Sequence, residues 1–302
     1  LRINVAGTSL ELKTLLALSR VRRDLGFTEQ AIAEVEEFFA RNVELSNHES
    51  LSMLLELRAV LSSCYLVKGN VQRALSVAKD MPLSALASWE NVVTLWARAS
   101  AKEAIGDYSG ALKDSQLASE YCRQIDRPIA EARLNLMEIQ CLVEMGEVAN
   151  ALFNKLFEIY TFFASMNLYS DMSETLLLQA QWLFQVDRFA EADACLVEAL
   201  KLFGGQTSEL KIKILCLQSV IALENGSLEK SKVIAESAES SLKLQTVTSP
   251  SMAAQWKLIG EIFWQLGEKS RAFECMEMAT DVLGVRGASK NRSNRKSANQ
   301  TA

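Results

Sequence analysis

His48 is the one histidine in the chain, and six cysteines stand at positions 64, 122, 141, 195, 216 and 275. Imidazole and thiolate are the side chains best suited to hold zinc or to act as base and nucleophile near neutral pH. His48, in ELSNHES, has no second His and no Cys at close spacing, so a zinc site would have to gather its ligands from distant segments. It reads as a residue at a helix start or on the surface. No Cys belongs to a C-x-x-C pair, and each lies inside an apolar helical pattern, as reduced buried cysteines do. Their state points to a cytoplasmic setting. A Ser-His-Asp or Cys-His pair needs a neighbour that His48 lacks. The glycine turns spell neither G-x-x-x-x-G-K-S/T nor G-x-G-x-x-G, so no phosphate cradle is supported. These residues argue for no enzyme, no metal and no cofactor, although chemistry without a sequence signature stays open.

Charge and aromatic residues offer binding chemistry instead. Arg20, Arg22 and Arg23 form the densest cationic cluster before the C-terminal tail. Three cations in a helix's last turn complement its negative end, worth about 0.3–1 kcal/mol each. The other reading is an anchor for an acidic peptide or carboxylate. Of the five tryptophans, Trp264 could grip a partner through its amphipathic indole or fill a seam between packed elements. Formal charge is −5, and residues 285–302 hold five Lys and Arg and no acid, which leaves −10 on the rest. An acidic body speaks against a broad nucleic-acid surface. The basic tail reads as a solvated, disordered end that could touch RNA, DNA or anionic lipid. No apolar run is long enough for a membrane span and no signal peptide opens the chain, which begins with Leu rather than Met.

The elements that must position these residues are helices. With 49% hydrophobic and 23% charged residues, 13 Gly and 3 Pro, and no two-residue alternation, the sequence predicts an all-α fold with an ample core. One six-residue pattern recurs: GFTEQA opens at Gly26, GNVQRA at Gly69, GDYSGA at Gly106 and GEVANA at Gly146. DRFAEA follows at Asp187, GSLEKS at Gly226 and GEKSRA at Gly267. The steps run from 37 to 43 residues, and the sixth letter is Ala six times and Ser231 once. A period near forty marks stacked units. Each first residue can take the left-handed conformation that stops a helix, and Asp107 or Ser227 can cap the next one. The Ala one turn into the second helix lets two helices approach closely. Each unit is then a helical hairpin that must lean on its neighbours to hide its apolar faces.

The pattern resembles the tetratricopeptide repeat, best in the last copy, where Trp256, Ile259, Gly260, Phe263, Gly267, Ala272 and Ala279 fall at the family's spacing. Small residues seven before the turn recur as Ser19, Ser62, Ala99, Ala180, Ser219 and Gly260, but Ile139 breaks the series. Phe38, Met81 and Glu158 break the small position twelve after it, so copies two and four are degenerate and their boundaries can shift. The resemblance implies a right-handed α-α superhelix, a solenoid of about seven hairpins over residues 1–284, followed by the tail at 285–302. It also implies that first helices line a groove, with Lys13, Leu16, Arg20 and Arg23 facing inward in copy one. Glu56, Ala59 and Ser63 take those places in copy two, and Trp96, Ser100 and Glu103 in copy three. The Lys and Asn set with which some family members clamp a chaperone's terminal carboxylate is absent. Residues 85–115 and 253–286 further look like the repeat region of certain bacterial regulators, in which an Xre-type helix-turn-helix precedes the array.

The function implied is binding without catalysis: a protein or peptide segment held in the groove. Lys13, Arg20, Arg23, Ser63, Trp96, Ser100 and Trp264 are the candidate contacts. The alternative is the sensor region of a transcription regulator whose DNA-binding domain lies outside this chain. Terminal helices with exposed faces also permit self-association.

Overall fold

The computed structural model describes residues 9–41, 48–83, 86–203, 208–245 and 249–282. Among these the regular structure is α-helical throughout. The proposed tail at 285–302 lies outside the described residues, as do the side chain of His48 and the first residues of the chain.

Ten helices form a first compact unit, within residues 1–202. They are α1 (Ser9–Asp24), α2 (Thr28–Ala40), α3 (His48–Val67), α4 (Val71–Lys79), α5 (Trp89–Ala104), α6 (Tyr108–Gln124), α7 (Pro128–Glu144), α8 (Asn150–Ser165), α9 (Tyr169–Gln185) and α10 (Phe189–Lys201). A second unit, within residues 203–302, holds α11 (Glu209–Glu224), α12 (Leu228–Lys243), α13 (Pro250–Gln265) and α14 (Lys269–Val282).

The hairpin turns have a common cause. Gly26, Gly69, Gly106, Gly146, Gly226 and Gly267 all have φ between 71° and 84°, and Asp187 takes the same region at 59°. At Gly106 the stop is a Schellman arrangement: Asp107 N–H donates to Lys102 C=O at 2.9 Å and Gly106 N–H to Glu103 C=O at 2.9 Å. Asp107 then caps α6 by accepting the Gly110 N–H at 2.9 Å. Ser227 makes no such cap at α12. The sequence also hides two further stops of the same kind. Asp126 (φ 54°) turns α6 into α7 and Asn167 (φ 55°) turns α8 into α9, using the short polar side chains that tolerate this region best after glycine. Ser88, Ser208 and Ser249 start α5, α11 and α13 by accepting backbone N–H bonds at 3.1–3.2 Å.

Close approach of paired helices is built from small residues twelve apart. Ser62 Oγ donates to the Ala74 carbonyl at 3.0 Å. Ser219 and Ser231 bond each other's carbonyls at 2.8 and 2.9 Å, so the one Ser in the Ala position replaces a methyl contact with a satisfied polar one. At Gly260 a Cβ would stand 3.1 Å from the Ala272 carbonyl, which explains a glycine in mid-helix. Copy two keeps this register, with Ala74, Ala78 and Met81 buried. Copy four does not. Its Ala151 is exposed, α8 begins only at Asn150, and the buried face runs Leu156, Ile159, Phe163, one place later than elsewhere. Ile139, where the other copies have a small residue, is fully buried, and α7 and α8 share a smaller interface than the hairpins on either side. A larger side chain at the crossing excludes the close approach.

Successive first helices also touch: α1 packs on α3, α3 on α5 and α7 on α9. Leu12, Phe38, Leu57 and Ala74 sit in the first of the unit's cores, and Val92, Leu95 and Leu134 in another. Trp256 is buried in the second unit.

Candidate functional site

Five of the seven candidate contacts meet in one place. Arg20 and Arg23 of α1, Ser63 of α3, and Trp96 and Ser100 of α5 line a cavity of about 390 Å³, joined by Arg133 of α7. This volume falls within the range of about 300–1,000 Å³ typical of ligand pockets. The α1–α3–α5 packing places these side chains together, because positions one helical turn apart on neighbouring first helices face the same side. Leu16, expected to face inward, is instead in the core at 7% exposure. Lys13 is exposed on α1 and does not line the cavity.

The arginine cluster divides. Arg22 turns to α2 and pairs with Glu34. Arg20 pairs with Glu56, which also lines the cavity. Arg23 donates to Ser63 Oγ at 3.1 Å and pairs with Asp24 at 2.8 Å. Each cation therefore has an internal partner, which the sequence reading did not foresee. Arg133 forms a two-pronged bond to Asp171 of α9, at 2.6 and 2.9 Å. That bond outweighs burial and keeps the Arg133 guanidinium charged, above its ordinary value.

The remaining wall is apolar and aromatic. Trp89, Val93 and Trp96 of α5 face Ala59 and Leu66 of α3. Trp89 Nε1–H donates to Glu56 at 3.1 Å, and the Arg127 guanidinium lies 5.7 Å from its ring centre. Three arginines and one carboxylate line the wall, and since Arg23 and Arg133 are paired with Asp24 and Asp171 just outside it, the local charges balance. The site can bind an anion beside an apolar group. Trp89, Glu56 and Arg133 were not among the candidate contacts; Glu56 was legible as an inward position, whereas Arg133 lay in a degenerate copy.

Trp264 belongs to the other unit. It is 53% exposed and meets Phe273 edge-on at 6.2 Å in a pocket of about 280 Å³ between α13 and α14, with the Lys269 ammonium 5.7 Å from its ring centre. A third pocket, of about 410 Å³, lies between Phe38 and Phe39 of α2 and Leu54 and Leu55 of α3. Its Arg58 already lies 5.3 Å from the Phe39 ring centre, so it presents little polar chemistry to orient a ligand.

All six cysteines are free and Cys195 alone is not fully buried. Burial pushes the Cys64 thiol up to about 11 and that of Cys141 up to about 12, which makes them poor nucleophiles. Among the described residues no group of three or more His, Cys, Asp and Glu could hold a metal ion, and no helix is long and apolar enough to cross a membrane.

No protein-family model matches the chain, and no curated protein matches it. Solved structures do. A Rap protein complexed with competence and sporulation factor is similar at a TM-score of 0.68 and 13% identity, over 91% of this chain and 77% of that one. NprR in complex with its cognate peptide NprX is similar at 0.68 and 12%, over 97% and 88%. A tetratricopeptide repeat protein from Parabacteroides merdae is similar at 0.56 and 16%, over 91% and 94%. At such identities the likeness concerns the fold.

Proposed function

We propose that this chain, whose fold is the tetratricopeptide-type helical solenoid, is a non-enzymatic scaffold that binds a peptide or protein segment in the cavity between α1, α3, α5 and α7. The observation that carries the reading is the convergence of Arg20, Arg23, Ser63, Trp96 and Ser100 on that one cavity. Two proteins of similar fold, NprR and Rap, were solved with a cognate peptide and with competence and sporulation factor respectively, which supports the same use here. The groups on the wall offer adhesion and charge but no activated nucleophile. An extended ligand would gain affinity from many moderate contacts on a surface that is already ordered. The reading takes residues 1–284 as the repeat array and places the protein in a reducing compartment such as the cytoplasm. Lys13 and Trp264 do not line that cavity and stand outside this reading.

Ser100→Trp tests it by filling the cavity. Helicity by circular dichroism should stay at the wild-type level while capture of the cellular partner is lost. Capture undiminished in the filled variant would refute the site.

A sensor role is the second reading, favoured by one observation: Arg133 both lines the cavity and clamps Asp171 on the next hairpin's first helix. A ligand that draws on Arg133 would loosen that clamp and change the pitch of the array. A helix-turn-helix encoded in frame upstream would supply the output; hydrogen exchange at α9 unchanged by ligand would reject the coupling.

A further inference from the structure

Among the described residues Glu56 is the one carboxylate lining the cavity, and it engages two of the donors there. One of its oxygens pairs with Arg20 and the other accepts the Trp89 indole N–H at 3.1 Å. Trp89, Val93 and Trp96 line the same cavity. The protein thus holds in its own cavity an anion on an arginine, beside an indole wall. Arg20 is about half exposed and Glu56 one-fifth exposed, and an ion pair so open to water is weak enough to exchange.

We infer that Glu56 is a displaceable internal counter-ion. The cavity's ligand is a short peptide whose carboxylate takes the place of Glu56 on Arg20 and the Trp89 N–H, while a neighbouring large apolar side chain packs on Trp96. The inference rests on the peptide-binding reading and names its ligand class. Exchange of one carboxylate for another at Arg20 leaves the ion-pair count unchanged, so selection comes from two other sources. The apolar side chain leaves water against the indoles, and Arg23 and Arg133, themselves paired with Asp24 and Asp171, line the same wall with further N–H donors for the carboxylate. The displaced Glu56 then stands beside a like charge and opposes binding. Its removal has the opposite sign to removal of Arg20.

The experiment is fluorescence anisotropy with labelled pentapeptide sub-libraries rich in Leu and Phe. One carries Asp and Glu with an amidated end, one Asn and Gln with a free terminal carboxylate, one Asn and Gln with an amidated end, and one Lys with an amidated end. Wild-type protein should bind at least one carboxylate-bearing set about tenfold more tightly than the neutral amidated set, less so at high salt. Which set binds tells a side-chain carboxylate from a chain terminus. Arg20→Gln should weaken that binding about five- to tenfold, whereas Glu56→Gln should tighten it about three- to tenfold. Glu56→Ala serves as the second variant, with helicity checked in each. Equal binding of the neutral or basic sets, or a Glu56 variant that weakens binding as Arg20→Gln does, overturns the inference. So does failure of every set to bind. If Ser100→Trp still abolishes capture of a cellular partner, the scaffold reading survives that failure; if it does not, both fall.

Discussion

Ala192 and Ala151 occupy the same letter of the repeated six-residue pattern, yet the fold treats them differently. Ala192 is fully buried where α9 and α10 cross, and Ala151 is exposed on α8 because copy four has slipped by one position. Replacing each by Leu adds the same three carbons in two environments. At Ala192 the added atoms meet a packed crossing, and forcing extra methylenes into such a site costs about 1–3 kcal/mol. At Ala151 they meet water, where helix propensities differ little and surface changes stay within about ±0.5 kcal/mol. For a unit of this size each kcal/mol shifts the melting temperature by about 2–4 °C, so Ala192→Leu should melt about 2–12 °C below wild type and Ala151→Leu within about 2 °C of it. Circular dichroism at 222 nm during urea and thermal unfolding reads both. Equal losses in the two variants would refute the register slip, and a silent Ala192→Leu would refute the close-crossing argument itself.

Gly106→Val should lower the urea midpoint, since φ of 80° costs an L-residue about 1–2 kcal/mol although a Cβ there would meet nothing within 4 Å; Gly106→Asn should lose less, and equal stability of Val and Gly would count against a conformational cause. In the second unit, burial tends to raise the Glu239 carboxyl, but hydrogen bonds from Lys243 and Arg271 outweigh it and hold its folded value below the ordinary 4.5. The stability Glu239 contributes is therefore present above that value and is lost as pH falls through the lower folded one; unfolding midpoints from pH 7 to 3 should show the loss, and Glu239→Gln should flatten it. Ellman's reagent at pH 8 should modify Cys195 first in the native chain and all six thiols after unfolding; rapid native labelling of Cys141 or Cys216 would contradict their burial.

The fold was legible because its unit repeats. A glycine or Asp at a left-handed stop and an Ala or Ser one turn later solve the same packing problem each time, and chance does not produce them together every forty residues. Copy four was harder to read because Ile139 abolishes the close crossing that fixes the register, so its six-residue pattern survives in letters and not in geometry. Asp126 and Asn167 escaped notice since neither is glycine, though both are residues that enter the left-handed region at tolerable cost. At the site, inward positions counted from the repeat brought Arg20, Arg23, Ser63, Trp96 and Ser100 to one cavity. The pairing of those arginines was not legible. Glu56 and Glu34 lie 36 and 12 residues from Arg20 and Arg22, distances that only the folded hairpins bridge, whereas Asp24 is the chain neighbour of Arg23.

Crosslinking mass spectrometry on the captured complex tests the binding claim most directly, with a photoreactive residue placed at Ala59 beside the cavity and another at exposed Glu158 on α8. The partner's peptides should be joined at position 59 and not at 158. Partner peptides joined at 158 while position 59 stays unlinked would contradict it.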